Sequence, residues 1–399
     1  HYLFFKTNHR QIMLKVLYIL SSTSIHGGAS KSFMVMLDRL RMLGVETFVV
    51  LPNTEGLYQE LKAQGVYVRA YTYRMAVYPP CNDVKDLLLW LPRLCGRLIV
   101  NHQATRQVEQ LCKQIHPDII HTNVSVIDIG YRAAQHLRIP HVWHIREYGD
   151  LDFHLYHYPT HAYQLRRYVH SYTICITRDI QSHCGLEHNP MSRVIYNGIL
   201  PHTPILQNAH TEPFFLFAGH IEPAKGVYEL LWAYVAYTKQ TQHILPLYIA
   251  GAVCHNDYMT QLQNLIKEQH IEKQVCFLGE RKNINDWEQR ATAIIIPSIN
   301  EGFGRVMPEA MYNKTLVIAH NTAGTKEQLD NGLRLTGYEI ALRYNTEEEL
   351  TQHLVAVSAV SIEQYTPIIE RAYTTVSHFY TAEQNARQIM HFYRDILQQ

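Results

Sequence analysis

Short apolar runs of strand length recur along this chain, separated by helix-length segments, and this alternation limits the folds open to it. The first series of runs lies at 14–20, 47–51, 66–71, 118–122, 141–144, 171–176 and 192–196. They lack the polar alternation of a strand with one wet face, so each reads as a strand covered on both sides. Strands alternating with helices imply a parallel, doubly wound α/β sheet. The pattern restarts at 214–218 and continues at 247–250, 275–278, 293–296 and 316–319. Between the two series, Pro201, Pro204 and Pro213 punctuate a polar stretch without periodicity, read as a linker over 201–211. A length of 399 residues is too great for one ordinary core, which agrees with two domains. The expected layout is a leader or remnant over 1–12, a domain over 13–200, the linker, a second domain over 212–380 and a helix over 381–399.

Composition narrows the function classes. A hydrophobic content of 47% is that of an ordinary globular chain, and a formal net charge of +1 gives no global field for nucleic acid. Seven cysteines are scattered without a C-x-x-C, which fits reduced thiols in a cytoplasmic protein rather than a disulfide framework or a zinc site. The 25 histidines are dispersed and form no H-E-x-x-H, so no metal site is expected. No uncharged apolar run reaches about 18 residues, the length of a spanning helix.

The stretch Asn300-Glu301-Gly302-Phe303-Gly304-Arg305-Val306-Met307-Pro308-Glu309-Ala310-Met311 carries the chemistry. It follows the 293–296 strand and leads into a helix, the place where α/β proteins build anion sites from free main-chain N–H groups. Gly302 and Gly304 let the main chain approach a ligand, and an ionised carboxylate suits ribose hydroxyls because it only accepts hydrogen bonds. A bare glutamate pair also reads as a helix cap beside a tight turn. With Gly-Phe-Gly and Glu-Ala-Met included, the stretch resembles the E-x7-E signature of retaining GT-B glycosyltransferases of family 4 (glycosyl transferases group 1). The resemblance implies a GT-B architecture, two Rossmann-like doubly wound domains facing across a cleft. The first would bind the acceptor and the second the sugar nucleotide, with the 381–399 helix returning to the first.

The same resemblance extends to other segments. Gly219-His220-Ile221-Glu222-Pro223-Ala224-Lys225-Gly226 is similar to the family's Gly-Arg-Leu…Lys-Gly element, in which Arg and Lys bind the diphosphate. Here His220 stands in the arginine position, with fewer donors and little charge at neutral pH. Lys225 also reads as a solvated surface lysine. Gly27-Gly28 resembles the Gly-Gly loop that closes over the donor, although any βα turn may carry glycine; it matches neither a dinucleotide fingerprint nor a P-loop. His144, at the end of the 141–144 strand, is similar to the family histidine near the transferred sugar, its other reading being a satisfied core histidine. His121 also lies in a strand, and Asn197-Gly198 reads as a hinge or turn. The backbone near Gly279 is similar to the edge that flanks the nucleobase. The segment 321–327 resembles a Gly-Gly-x-x-Glu loop with Ala323 in place of the first glycine.

The implied reaction transfers a hexose from a UDP- or GDP-sugar to a hydroxyl with retention, in polysaccharide or glycolipid assembly. Glu309 would hold the ribose, while Lys225, His220 and main-chain N–H groups around Gly304, Arg305 and Val306 would take the diphosphate. Glu301 and His144 would face the sugar. No permanently bound cofactor and no metal are expected; the partners are the nucleotide-sugar donor and a glycan or lipid-linked acceptor, and not nucleic acid. The leucine-rich 84–100 segment, with Trp90, Arg93 and Arg97, reads as a helix packed on the first sheet or as a basic amphipathic surface touching the inner face of a membrane. Pro92 is expected to interrupt a single helix there. Two alternatives share the coarse pattern: a sugar-nucleotide 2-epimerase and a non-catalytic two-lobed sugar-binding protein.

Overall fold

The structure, a computed structural model, describes residues 13–25, 27–81, 83–201 and 212–399. The expected leader at 1–12, the linker beyond Pro201 and His26 beside the Gly27-Gly28 turn lie outside the described residues. Buried Val, Ile and Leu build the strands of two sheets. The first sheet holds β1 (Lys15–Ile19), β2 (Glu46–Leu51), β3 (Tyr67–Ala70), β4 (Ile119–Thr122), β5 (His141–Ile145), β6 (Tyr172–Cys175) and β7 (Ser192–Val194), in the order β3-β2-β1-β4-β5-β6-β7. The second holds β8 (Phe215–Ala218), β9 (Leu247–Ala250), β10 (Val275–Gly279), β11 (Ala293–Ile296), β12 (Leu316–His320) and β13 (Leu342–Tyr344), in the order β10-β9-β8-β11-β12-β13.

Pairing is parallel, and its register sets apolar residues side by side. Leu17 pairs with Phe48 and Ile120, and Leu216 with Tyr248 and Ile294. Each sheet grows outward in both directions from its first strand. A switch point therefore falls between β1 and β4, and another between β8 and β11. In doubly wound sheets, ligands bind beyond the carboxyl ends of the strands at such points. The expected α/β class, with two doubly wound parallel sheets, is the one the chain adopts.

The chain forms two compact units. The first holds the described residues up to His144, Leu155–Thr173 and Ala386–Gln399; the second holds Ile145–His154 and the described residues of Ile174–Asn385. Leu17, Val50, Ile120 and Val108 belong to the core of the first, and Phe215, Leu231, Ile249 and Leu316 to that of the second.

Pro92 does not break its helix, contrary to expectation. One helix, Val84–Ile115, runs through it. The missing N–H costs a hydrogen bond to the carbonyl one turn earlier, that of Leu88. Leu88 is 75% exposed, so water can reach that part of the helix. The buried residues all lie in the C-terminal half, Asn101, Ala104, Thr105, Val108, Leu111, Cys112 and Ile115, while Trp90 in the first half stacks on Tyr78. The N-terminal half leaves Val84, Leu87, Leu88, Leu91 and Ile99 exposed. Among the described residues no helix is long and apolar enough to cross a membrane.

Candidate functional site

The loops after β8 and β11, on either side of the second unit's switch point, meet at two places. Ile299 donates its N–H to the Ala224 carbonyl at 3.0 Å, and Lys225 Nζ lies 2.6 Å from Glu301 Oε2. Gly226 makes this approach feasible. Its φ of +68° lies in the left-handed region, and a Cβ there would sit 2.1 Å from the Pro297 carbonyl oxygen. Burial alone would lower the Lys225 pKa. The charge and hydrogen bond of Glu301, with Glu222 and Asp152 adding to them, outweigh burial and hold it above its usual value. Lys225 is therefore a fixed cation at neutral pH.

Glu301 is held from behind. The Gly324 N–H donates to its carbonyl at 2.8 Å, and a Cβ on Gly324 would lie 2.5 Å from the Gly302 carbonyl oxygen. Gly304 adopts φ +73°, and a Cβ on it would reach within 2.8 Å of Glu301 Cγ. One helical turn on, Arg305 pairs with Glu309 through Nη2 at 2.8 Å and Nε at 3.1 Å. Val306 begins the helix that carries Glu309. Gly219 donates its N–H to the Ala250 carbonyl at the end of β8, and the Gly279 carbonyl accepts from Gly251 at the end of β10. His220 contacts Cys254 Sγ through Nδ1 at 3.1 Å.

The second unit thus brings Lys225, Glu301 and Gly304 into contact and pairs Arg305 with Glu309. Gly27, Gly28 and His144 belong to the first unit. Gly27 caps the helix Gly28–Met42 with an ordinary φ of −67°, and a Cβ there would meet no atom closer than 3.9 Å, so neither backbone nor packing demands a glycine. His144 is fully buried on β5, its Nδ1 3.1 Å from His121 Nε2. His121 Nδ1 in turn lies 2.6 Å from the Tyr393 hydroxyl, which reaches the Tyr18 hydroxyl at 3.2 Å.

Sequence reasoning missed several supports. Gly226, Gly251 and Gly324 are needed for close backbone approach; a Cβ on Gly251 would lie 1.7 Å from the Gly219 carbonyl oxygen. Their common signal was a glycine just past a strand or at a helix start. Ala323, where the resemblance has glycine, keeps a left-handed φ of +46°. Glu327 accepts N–H groups from Arg178 and Asp179 at 2.9 and 3.1 Å and the Tyr196 hydroxyl at 2.7 Å, capping the helix Arg178–His183. Asn197 accepts from buried Arg146 at 2.5 Å, and a Cβ on Gly198 would lie 2.7 Å from Ala382 Cα. That pair serves packing as well as a turn.

A phosphate-sized anion beside Lys225 would find a protonated amine and nearby main-chain amides, with carboxylates on the flanks for hydroxyl groups. Residues 202–358 match the family model described as "Glycosyl transferases group 1". Lys225, Glu301 and Glu309 all lie within the matched span. The chain is 28% identical over 191 residues to the O-antigen chain mannosyltransferase RfbU of Salmonella typhimurium, covering 47% of this chain and 48% of that protein. It spans about half the length of the curated relatives it matches, and less of some. Among solved structures, it superposes on Anabaena Alr3699/HepE in complex with UDP with a TM-score of 0.73 at 18% identity, over 96% of this chain and 100% of that one. A glycosyltransferase from Rickettsia africae gives 0.74 at 16% identity, over 97% and 99%. The two parallel-sheet units are similar in fold to GT-B glycosyltransferases. Among the described residues, no three His, Cys, Asp or Glu side chains are grouped to hold a metal ion.

Proposed function

We propose that this chain is a retaining, metal-independent GT-B glycosyltransferase of family 4. In this reading it moves a hexose from a nucleoside-diphosphate sugar to a hydroxyl of a glycan or lipid-linked acceptor, on the cytoplasmic side of a membrane. The carrying observation is the Lys225–Glu301 pair at the switch point of the second sheet. Lys225 neutralises charge that grows on the leaving diphosphate, the main lever for such a transfer. Main-chain amides near Gly304 and Val306 assist, His220 flanks them and Glu309 accepts from the ribose. The backbone at Gly279 borders the base. Glu301 exchanges its lysine for the donor sugar, and Gly27-Gly28 lies over the diphosphate. His144 hydrogen-bonds a sugar hydroxyl.

The acceptor oxygen bonds the anomeric carbon on the face from which the diphosphate oxygen departs. The acceptor's proton passes to that oxygen, so no covalent intermediate is needed. Residues 13–200 would serve the acceptor and 212–380 the donor, joined by 201–211, with 381–399 returning to the first domain. The relative's printed activity makes mannose the first hexose to try.

Ligands that bind only the folded state raise its melting temperature. UDP, GDP, UDP-glucose and GDP-mannose, each with EDTA present, are therefore compared by thermal shift. One nucleotide set should stabilise the chain, and Lys225→Ala and Glu309→Ala should each weaken that shift. If both variants respond like the parent, the assigned pocket is wrong.

A further inference from the structure

The outer face of the second unit carries an open groove that the donor reading leaves unused. It lies between the helices Val227–Thr238 and Asn256–Glu268 and has a volume of about 480 Å³. Small-molecule clefts typically span about 300–1,000 Å³. Tyr228 and Trp232, one helical turn apart, form an aromatic wall with ring centroids 6.3 Å apart at 80°. Opposite them Asp257, Gln261, Asn264 and Glu268 line the groove from successive turns of one helix face. A second groove of about 250 Å³ shares Trp232 and adds Gln240, Gln352, Glu347 and Glu348. Trp232 is 37% exposed and lines both.

The side chains decide what fits. Four carboxylates and no lysine or arginine line the two grooves, so phosphates, nucleotides and acidic lipids are repelled. Four amides supply donors and acceptors together, which a purely cationic ligand would not use. An exposed indole beside a tyrosine offers a flat apolar surface with polar edges. A ring with one C–H face and several hydroxyls satisfies all three features. We infer that the two grooves flanking Trp232 bind a neutral oligosaccharide, its ring stacked on Trp232 and its hydroxyls on the amides and carboxylates. The binding stands apart from the donor pocket; its use, to retain a growing glycan, rests on the transferase reading.

Titration calorimetry with mannotriose, maltotriose and cellotriose tests this on the full chain. At least one should bind saturably, and Trp232→Ala should weaken it by about tenfold. The double variant Gln261→Ala/Asn264→Ala, at exposed positions, should weaken it as well. Both should keep the parent's nucleotide-induced thermal shift. Absence of binding by all three sugars, or binding unchanged in both variants, overturns the inference. So does spermine displacing the sugar at equal concentration, which would assign the groove to a cationic partner. A chain that binds a trisaccharide through Trp232 but shows no nucleotide shift would leave this site standing while the transferase reading falls.

Discussion

Ala323 occupies a backbone conformation that suits glycine, with φ +46° at the start of the helix Ala323–Thr336. A left-handed residue with a Cβ costs roughly 1–2 kcal/mol, partly offset because glycine loosens the unfolded chain. Ala323→Gly should therefore raise stability by up to about 1 kcal/mol, read as a higher denaturation midpoint at constant slope. A lower midpoint would show that the methyl group packs usefully. The neighbouring Gly324 admits no such freedom, since its Cβ would strike both the Glu301 and Gly302 carbonyl oxygens. At this scale the sequence revealed residue types but not contacts. Glu301 and Lys225 stood out by motif, whereas the close approach that makes Gly226 and Gly251 necessary joins segments distant in the chain.

Among the elements, the helix Val84–Ile115 is divided in its loyalties. Its last turns are buried, while Leu87, Leu88 and Leu91 face solvent. Replacing these three leucines with serine should leave the melting temperature nearly unchanged, because each already sits in water. If the exposed stretch lies on lipid, the triple variant should lose co-sedimentation with vesicles of phosphatidylethanolamine and phosphatidylglycerol. Unchanged pelleting would end the membrane reading. This helix also marks the limit of local rules. Proline predicts a break because it removes one hydrogen bond and crowds the carbonyl one turn earlier; here the helix continues through it on a face where Leu88 is 75% exposed. Strands such as β4 and β11 were legible because four buried residues in a row leave a strong signal. The three-residue β13 escaped notice, having too few residues to show a pattern.

For the whole molecule, acid sensitivity is written into the first unit. Burial, with the charge of Arg167 beside it, lowers the His141 pKa from 6.5 to about 3. Burial and His161 bring His157 to about 4. Both are neutral when folded, so below pH 6.5 the unfolded chain takes up protons that the folded chain refuses. The stability they contribute is full above that pH and is lost as pH falls toward 4 and 3, by up to about tenfold per pH unit for each group. Melting temperature should drop steadily over this range, and His141→Gln should flatten part of the slope. A curve that stays level down to pH 5 would contradict this. The two-sheet plan itself was visible in the alternation of apolar runs. Ala386–Gln399 group with the first unit, a placement expected only from the resemblance, because a helix's periodicity shows which face is apolar without saying what covers it.

The 2.6 Å contact between Lys225 and Glu301 means that the cradle already holds a counter-ion of its own. A visiting anion must evict a tethered rival before it can settle, which turns away weakly charged solutes and favours a polyanion. Glu301→Gln would remove that rival. It should tighten the grip on a bare nucleoside diphosphate in calorimetry even as turnover falls, and a looser grip would mean the glutamate is an ally of the guest and not its competitor.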